Sequence, residues 1–107
     1  MYAIRVRLEW RGGPPSADPV APALLAGLGR SLQPQARLGH ARIRERDEVV
    51  EAVVFVVAAG LFAAERRLAL AMDQLTAQGA ELAGWRVGHC EADSWIALGL
   101  HEEHVQP

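Results

Sequence analysis

Hydrophobic and polar residues alternate without a break from Tyr2 to Trp10. Tyr2, Ile4, Val6, Leu8 and Trp10 fall on one side, and Ala3, Arg5, Arg7 and Glu9 on the other. A period of two over nine residues predicts a strand with one buried face. Arg11-Gly12-Gly13-Pro14-Pro15-Ser16 breaks the pattern, because proline removes ladder donors and glycine frees the backbone. A three- to four-residue period follows in Val20, Leu24, Leu25, Leu28 and Leu32, which predicts an amphipathic helix ended by Pro34. Asp18 stands where an N-cap belongs, with Pro19 at the first helical position. Gly27 and Gly29 each weaken this helix by about 1 kcal/mol relative to alanine, so it needs tertiary packing to form.

Residues 36–44 predict a second strand, with Ala41 and Ile43 on one face and Leu38, His40, Arg42 and Arg44 on the other; Gly39 marks a candidate bulge. After the polar turn at 45–48, residues 49–59 are apolar on both faces apart from Glu51, as expected of a central strand. The strongest helical stripe in the chain is Leu61, Ala64, Leu68, Ala71, Met72 and Leu75 within residues 61–78, with Gly79 at the C-terminal cap position. Residues 85–91 predict a fourth strand with Trp85, Val87 and His89 on one face. Residues 95–100 predict a short fifth strand, and 101–107 form a polar tail.

The order β-α-β-β-α-β, in one α+β domain over residues 1–107, resembles the ferredoxin-like superfold in architecture. That resemblance implies a four-stranded antiparallel sheet with both helices on one face and a possible extra C-terminal strand. It implies no function, because the superfold hosts many unrelated activities.

Composition narrows the setting. All eleven basic residues are arginine, and alanine, glycine and leucine abound, which points to a GC-rich bacterial genome. One cysteine, Cys90, allows no intrachain disulfide and fits a reducing compartment. No signal peptide is expected, because charge begins at Arg5. The longest uncharged apolar run, residues 52–64, is shorter than the ~18 residues of a bilayer span. A cytoplasmic protein is the expectation. Charge is uneven, with an excess of arginine in residues 1–46 and of acids in residues 47–107. Such asymmetry suits an anion-binding face or a match between subunits.

If the even-numbered residues of the first strand face the helices, the opposite sheet face carries Arg5, Arg7 and Glu9, with His40, Arg42 and Arg44 beside them. One valine row of the third strand joins them. It is either Val50, Val54 and Val56, here taken with Arg5 and Arg7 as the interface, or Val49, Val53, Phe55 and Val57. An exposed valine row marks an interface, and the expected occupant is a second copy in a two-fold dimer. The leading expectation is therefore a non-enzymatic oligomerisation module.

Two alternatives stay open. One is a small-molecule binder or cofactor-free enzyme with a site between sheet and helices near Trp10, Trp85 and His89. The other is an anion or nucleic-acid binder using His40, Arg42 and Arg44. Nucleic acid is disfavoured by the net charge of −2 and by the lack of aromatics beyond Phe55 on the open face. No cofactor, metal or catalytic residue is assigned. His101-Glu102-Glu103-His104 lacks the four-residue histidine spacing of the zinc-protease helix. His89 and Cys90 point to opposite faces of a strand and cannot pair.

Overall fold

The computed structural model describes residues 1–12 and 19–92. Six elements follow in order: β1 (Tyr2–Trp10), α1 (Val20–Ser31), β2 (Arg37–Arg46), β3 (Val49–Val57), α2 (Leu61–Leu75) and β4 (Trp85–Ala92). The strands form one antiparallel sheet in the order β2-β3-β1-β4. The fold is α+β, with β1 and β3 in the centre as the sequence order predicts. The fifth strand and the polar tail of the sequence reading lie outside the described residues, as does Asp18.

β1 fixes the register of everything else. Its apolar residues Ile4, Val6 and Leu8 stand opposite Val54, Ala52 and Val50 of β3. These side chains form one core with Val20, Leu24, Leu28 and Leu32 of α1 and Ala64, Leu68, Met72 and Leu75 of α2. Fully burying one such aliphatic side chain contributes about 1.5–3 kcal/mol, so this layer dominates stability. The helices approach closely at Gly27, where an added Cβ would lie 2.5 Å from Leu75 Cδ2. The glycine that weakens α1 as a helix thus permits the helix–helix contact that stabilises it.

Two glycine bulges set which side chains reach which face. Leu38 stands opposite Val56 and His40 opposite Phe55, so Gly39 is an extra residue in β2. Leu38 therefore joins Ala41 and Ile43 on the core side, and not His40 and Arg42 as strict alternation predicts. In β4, Val87 stands opposite Leu8 and His89 opposite Arg7, with Gly88 as the extra residue. Trp85 and Val87 face the core while His89 turns to the other side, which corrects the expected Trp85–Val87–His89 face. One inserted residue inverts every later side chain of a strand.

α1 is capped from a distance. Its N-cap residue is Pro19, which supplies no side-chain hydrogen bond. The backbone N–H groups of Val20 and Ala21 instead donate to Glu45 Oε1 and Oε2 of β2, at 2.7 and 3.2 Å. A carboxylate there meets both the orphan donors and the positive end of the helix dipole. α2 ends at Leu75 with Thr76 as its C-cap, and Gly79 (φ 83°) lies in the turn beyond it.

Candidate functional site

Among the described residues, no element covers the sheet face opposite the helices. Pairing places its side chains in cross-strand rows from β2 to β4: Arg42, Val53, Arg5 and Glu91; then Arg44, Glu51, Arg7 and His89; then Arg46, Val49, Glu9 and Arg86. Arg37 beside Val57, and His40 beside Phe55 and Ala3, extend the pattern to one end.

The valine row assigned to the interface from sequence, Val50, Val54 and Val56, lies on the other side. These three residues are at most 2% exposed and belong to the core. The antiparallel register puts them opposite Leu8, Ile4 and Tyr2, so they share the helix-facing side. The row on the open face is Val49, Val53, Phe55 and Val57, the second of the two rows the alternation allows. The signal was present in Glu51: it shares parity with Val49 and Val53, and an unpaired carboxylate is costly to bury. Arg5 and Arg7 do stand on the open face, as do His40, Arg42 and Arg44.

This face holds seven arginines against three glutamates (Glu9, Glu51 and Glu91), a net +4 with histidines neutral. The negative net charge of the whole chain conceals it. Apart from Arg5, the arginines fall into two groups, and Arg11, just past the end of β1, joins the first. Around Glu9, Arg86 Nη2 lies 3.0 Å from Oε1, Arg11 Nη2 3.6 Å from the same oxygen, and Arg7 Nε 3.5 Å from Oε2. Desolvation pushes the Glu9 carboxyl up, but the Arg86 hydrogen bond and the charges of Arg86, Arg11 and Arg7 together hold it below its ordinary value. Arg7 also reaches Glu51, at 3.5 Å. Along β2, by contrast, Arg37, Arg42, Arg44 and Arg46 have no acidic group within ion-pair distance among the described residues.

Shallow depressions run across this face. One of about 390 Å³ is lined by Arg5, Arg42, Arg44, Glu51 and Val53. It shares Arg5 and Glu51 with a second of about 380 Å³ that reaches Arg7, Gly88 and His89. Along β3 the result is a trough. Its floor is Val53, Phe55 and Val57, half-buried; Arg42, His40 and Arg37 of β2 stand along one side, and on the β1 side Arg5 stands opposite Val53 and Ala3 opposite Phe55. The stems of long cationic side chains cover apolar neighbours while their heads stay in water, which suits this geometry. The His40 and Phe55 rings lie 6.0 Å apart and tilted.

The aromatic pocket expected between sheet and helices is filled by its own side chains. Trp10 and Trp85 pack with ring centroids 5.2 Å apart, and Trp85 is only 9% exposed. Gly84, at φ 93°, presses its backbone on Trp10, where an added Cβ would lie 2.7 Å from Cζ3. His89, the third residue of that expected pocket, is on the opposite face and lies 3.4 Å from Glu91. Cys90 turns toward α2. Burial, with the charges of Asp73, Glu65 and Glu91, pushes its thiol up to about 11, which leaves it protonated and a poor nucleophile at neutral pH. Among the described residues no group of three His, Cys, Asp or Glu side chains converges to hold a metal, and no helix is long and apolar enough to cross a membrane. The His101–His104 segment lies outside the described residues. No family model, curated protein or solved structure matches this chain.

Proposed function

We propose that this chain is a non-enzymatic binding module, built as a ferredoxin-like plait, whose working surface is the open face of its sheet. One observation carries the reading: an apolar row on β3 is bordered by Arg37, Arg42 and Arg46 of β2 and by Arg5 of β1, on a face to which no described element is packed. An apolar centre within a charged rim is the anatomy of a protein contact surface, and arginine is among the residues enriched there. The aromatic pair, the other candidate site, is occupied by its own packing.

Self-association is the first occupant to test. Light scattering over a wide concentration range gives the solution mass of the wild type and of Val53→Asp and Arg5→Glu. A dimer that dissociates in both variants supports the open face as the contact. A dimer retained in both puts the contact elsewhere and sinks the reading. A monomer throughout excludes self-association and leaves the face to a different molecule.

A second reading rests on the arginines of β2, which have no acidic partner among the described residues. Guanidinium groups bind carboxylate and phosphate through paired hydrogen bonds, and the depression between Arg5, Arg42 and Arg44 suits a small anion. Binding there would weaken steeply with salt.

A further inference from the structure

We infer that the open face receives an acidic amphipathic helix of another protein, laid lengthwise on β3; this rests on the binding-module reading above. Three observations select that occupant. The first is width. Arg42 of β2 and Arg5 of β1 flank Val53, so they stand two strand spacings apart, about 9.5 Å. A helix with its side chains is about 10–12 Å across. Lying on Val53, Phe55 and Val57, it would bring one flank over Arg42, His40 and Arg37 of β2 and the other over Arg5 and Ala3 of β1. Those three residues span roughly 13 Å of strand, or about nine residues of helix. That is room for apolar side chains at i, i+3, i+4 and i+7, with Asp or Glu on each side.

The second is charge. A two-fold contact sets a patch against its own copy. Here seven arginines would meet seven arginines, with three glutamates to divide between them on each side. Two of those glutamates, Glu9 and Glu51, already hold Arg7, Arg11 and Arg86. Juxtaposed like charge disfavours such a partner. An acidic partner instead meets Arg37, Arg42, Arg44 and Arg46, which have no acidic partner among the described residues.

The third is the floor. Single-stranded nucleic acid would also complement the charge, but it gains from stacking each base on an aromatic ring. The floor offers Phe55 among valines. Branched aliphatics suit a leucine stripe. The sheet already packs two helices on its other side, so a helix on this side would complete a three-layer arrangement.

Fluorescence anisotropy with the full chain tests this. The probe is a labelled peptide of about 18 residues, long enough to follow β3 from end to end, with leucine on one helical stripe and glutamate on both flanks. The control has the same composition in scrambled order. The patterned peptide is expected to bind at least about tenfold tighter than the control, a difference of about 1.4 kcal/mol. Arg42→Glu with Arg44→Glu should erase that preference, and so should Val53→Asp. Val53→Thr, which keeps the strand shape, guards against misfolding and should weaken binding less.

Equal binding of patterned and scrambled peptides overturns the inference, because charge alone would then account for it. A single-stranded oligothymidine that binds tighter than the peptide, and is lost in the same variants, overturns it in favour of nucleic acid while the face keeps its role. A concentration-dependent dimer that Val53→Asp dissociates also overturns it, in favour of a second copy. Patterned-peptide binding that all these variants leave unchanged overturns both the inference and the binding-module reading.

Discussion

The two faces of the sheet are built from the same four strands, yet they have opposite character. On the helix side, β1 and β3 present only aliphatic and aromatic residues, with Ile4, Leu8, Val54 and Val56 fully buried. On the open side the same strands carry arginine and glutamate except at Ala3 and along part of β3. The one carboxylate on the core side at the β2 edge, Glu45, is engaged by the N-terminus of α1. Among the described residues, the arginines of β2 on the open side have no comparable acidic partner. The difference separates two uses of a side chain: one face satisfies itself within the fold, and the other presents charge and apolar surface against which no described element packs.

Adjacent residues of β3 give the strongest way to break that contrast. Val54→Asp places a carboxylate against Ile4 and the helices, at a site with 0% exposure. A buried, unpaired charge destabilises by about 3–5 kcal/mol, a large share of the roughly 5–15 kcal/mol that holds a small domain together. Val53→Asp, one residue away, points between Arg5 and Arg42. It should cost about 1 kcal/mol or less, through strand propensity and lost packing. Urea denaturation of both variants checks this. Equal destabilisation would mean that the two faces are not distinguished as described.

Glu45 tests the boundary between the faces. Glu45→Gln keeps the size of the side chain and removes its charge; Glu45→Ala removes the cap. Loss of a cap costs about 1 kcal/mol, and the attraction of a carboxylate to a helix N-terminus adds about 0.3–1 kcal/mol. Alanine should therefore destabilise more than glutamine in urea melts, and hydrogen exchange should quicken first at Val20 and Ala21. Unchanged exchange at those two amides would show that the loop before α1, and not β2, secures the helix start.

These contrasts explain what the sequence revealed and what it hid. The alternation of β1 was legible because each polar residue has one apolar neighbour on either side. The helices were legible from their stripes, although α2 stops at Leu75 where Thr76 caps it. β3 was ambiguous because burial on one side and an apolar trough on the other produce the same valine run. Only the parity of Glu51 distinguishes the rows. The faces of Leu38 and His89 were misread because Gly39 and Gly88 each insert one residue, and a bulge leaves composition unchanged. The cap of α1 was sought next to the helix, at Asp18, whereas the carboxylate that binds Val20 is 25 positions away. The basic character of the open face was hidden by averaging: the chain is −2 and this face is +4.

The smallest effect lies within the open face itself, between arginines that have an acidic partner and those that do not. Glu9 is held by Arg86, Arg11 and Arg7, and its carboxyl is depressed in the folded chain although desolvation opposes the shift. A carboxyl depressed by folding stabilises the fold above its unfolded pKa, about 4.3 for glutamate. That contribution is lost as pH falls through the lower, folded value, because the protonated group no longer attracts the arginines. The cluster is open to solvent, so its effect on stability should be slight and should shrink as salt screens it. An NMR titration of the Glu9 side chain should find a midpoint below the ordinary glutamate value, and Arg86→Gln should raise it. A midpoint at or above that value would mean that desolvation outweighs the three arginines. The two halves of the face would then differ in position alone, and the β2 row would lose its distinction as the half without an acidic neighbour among the described residues.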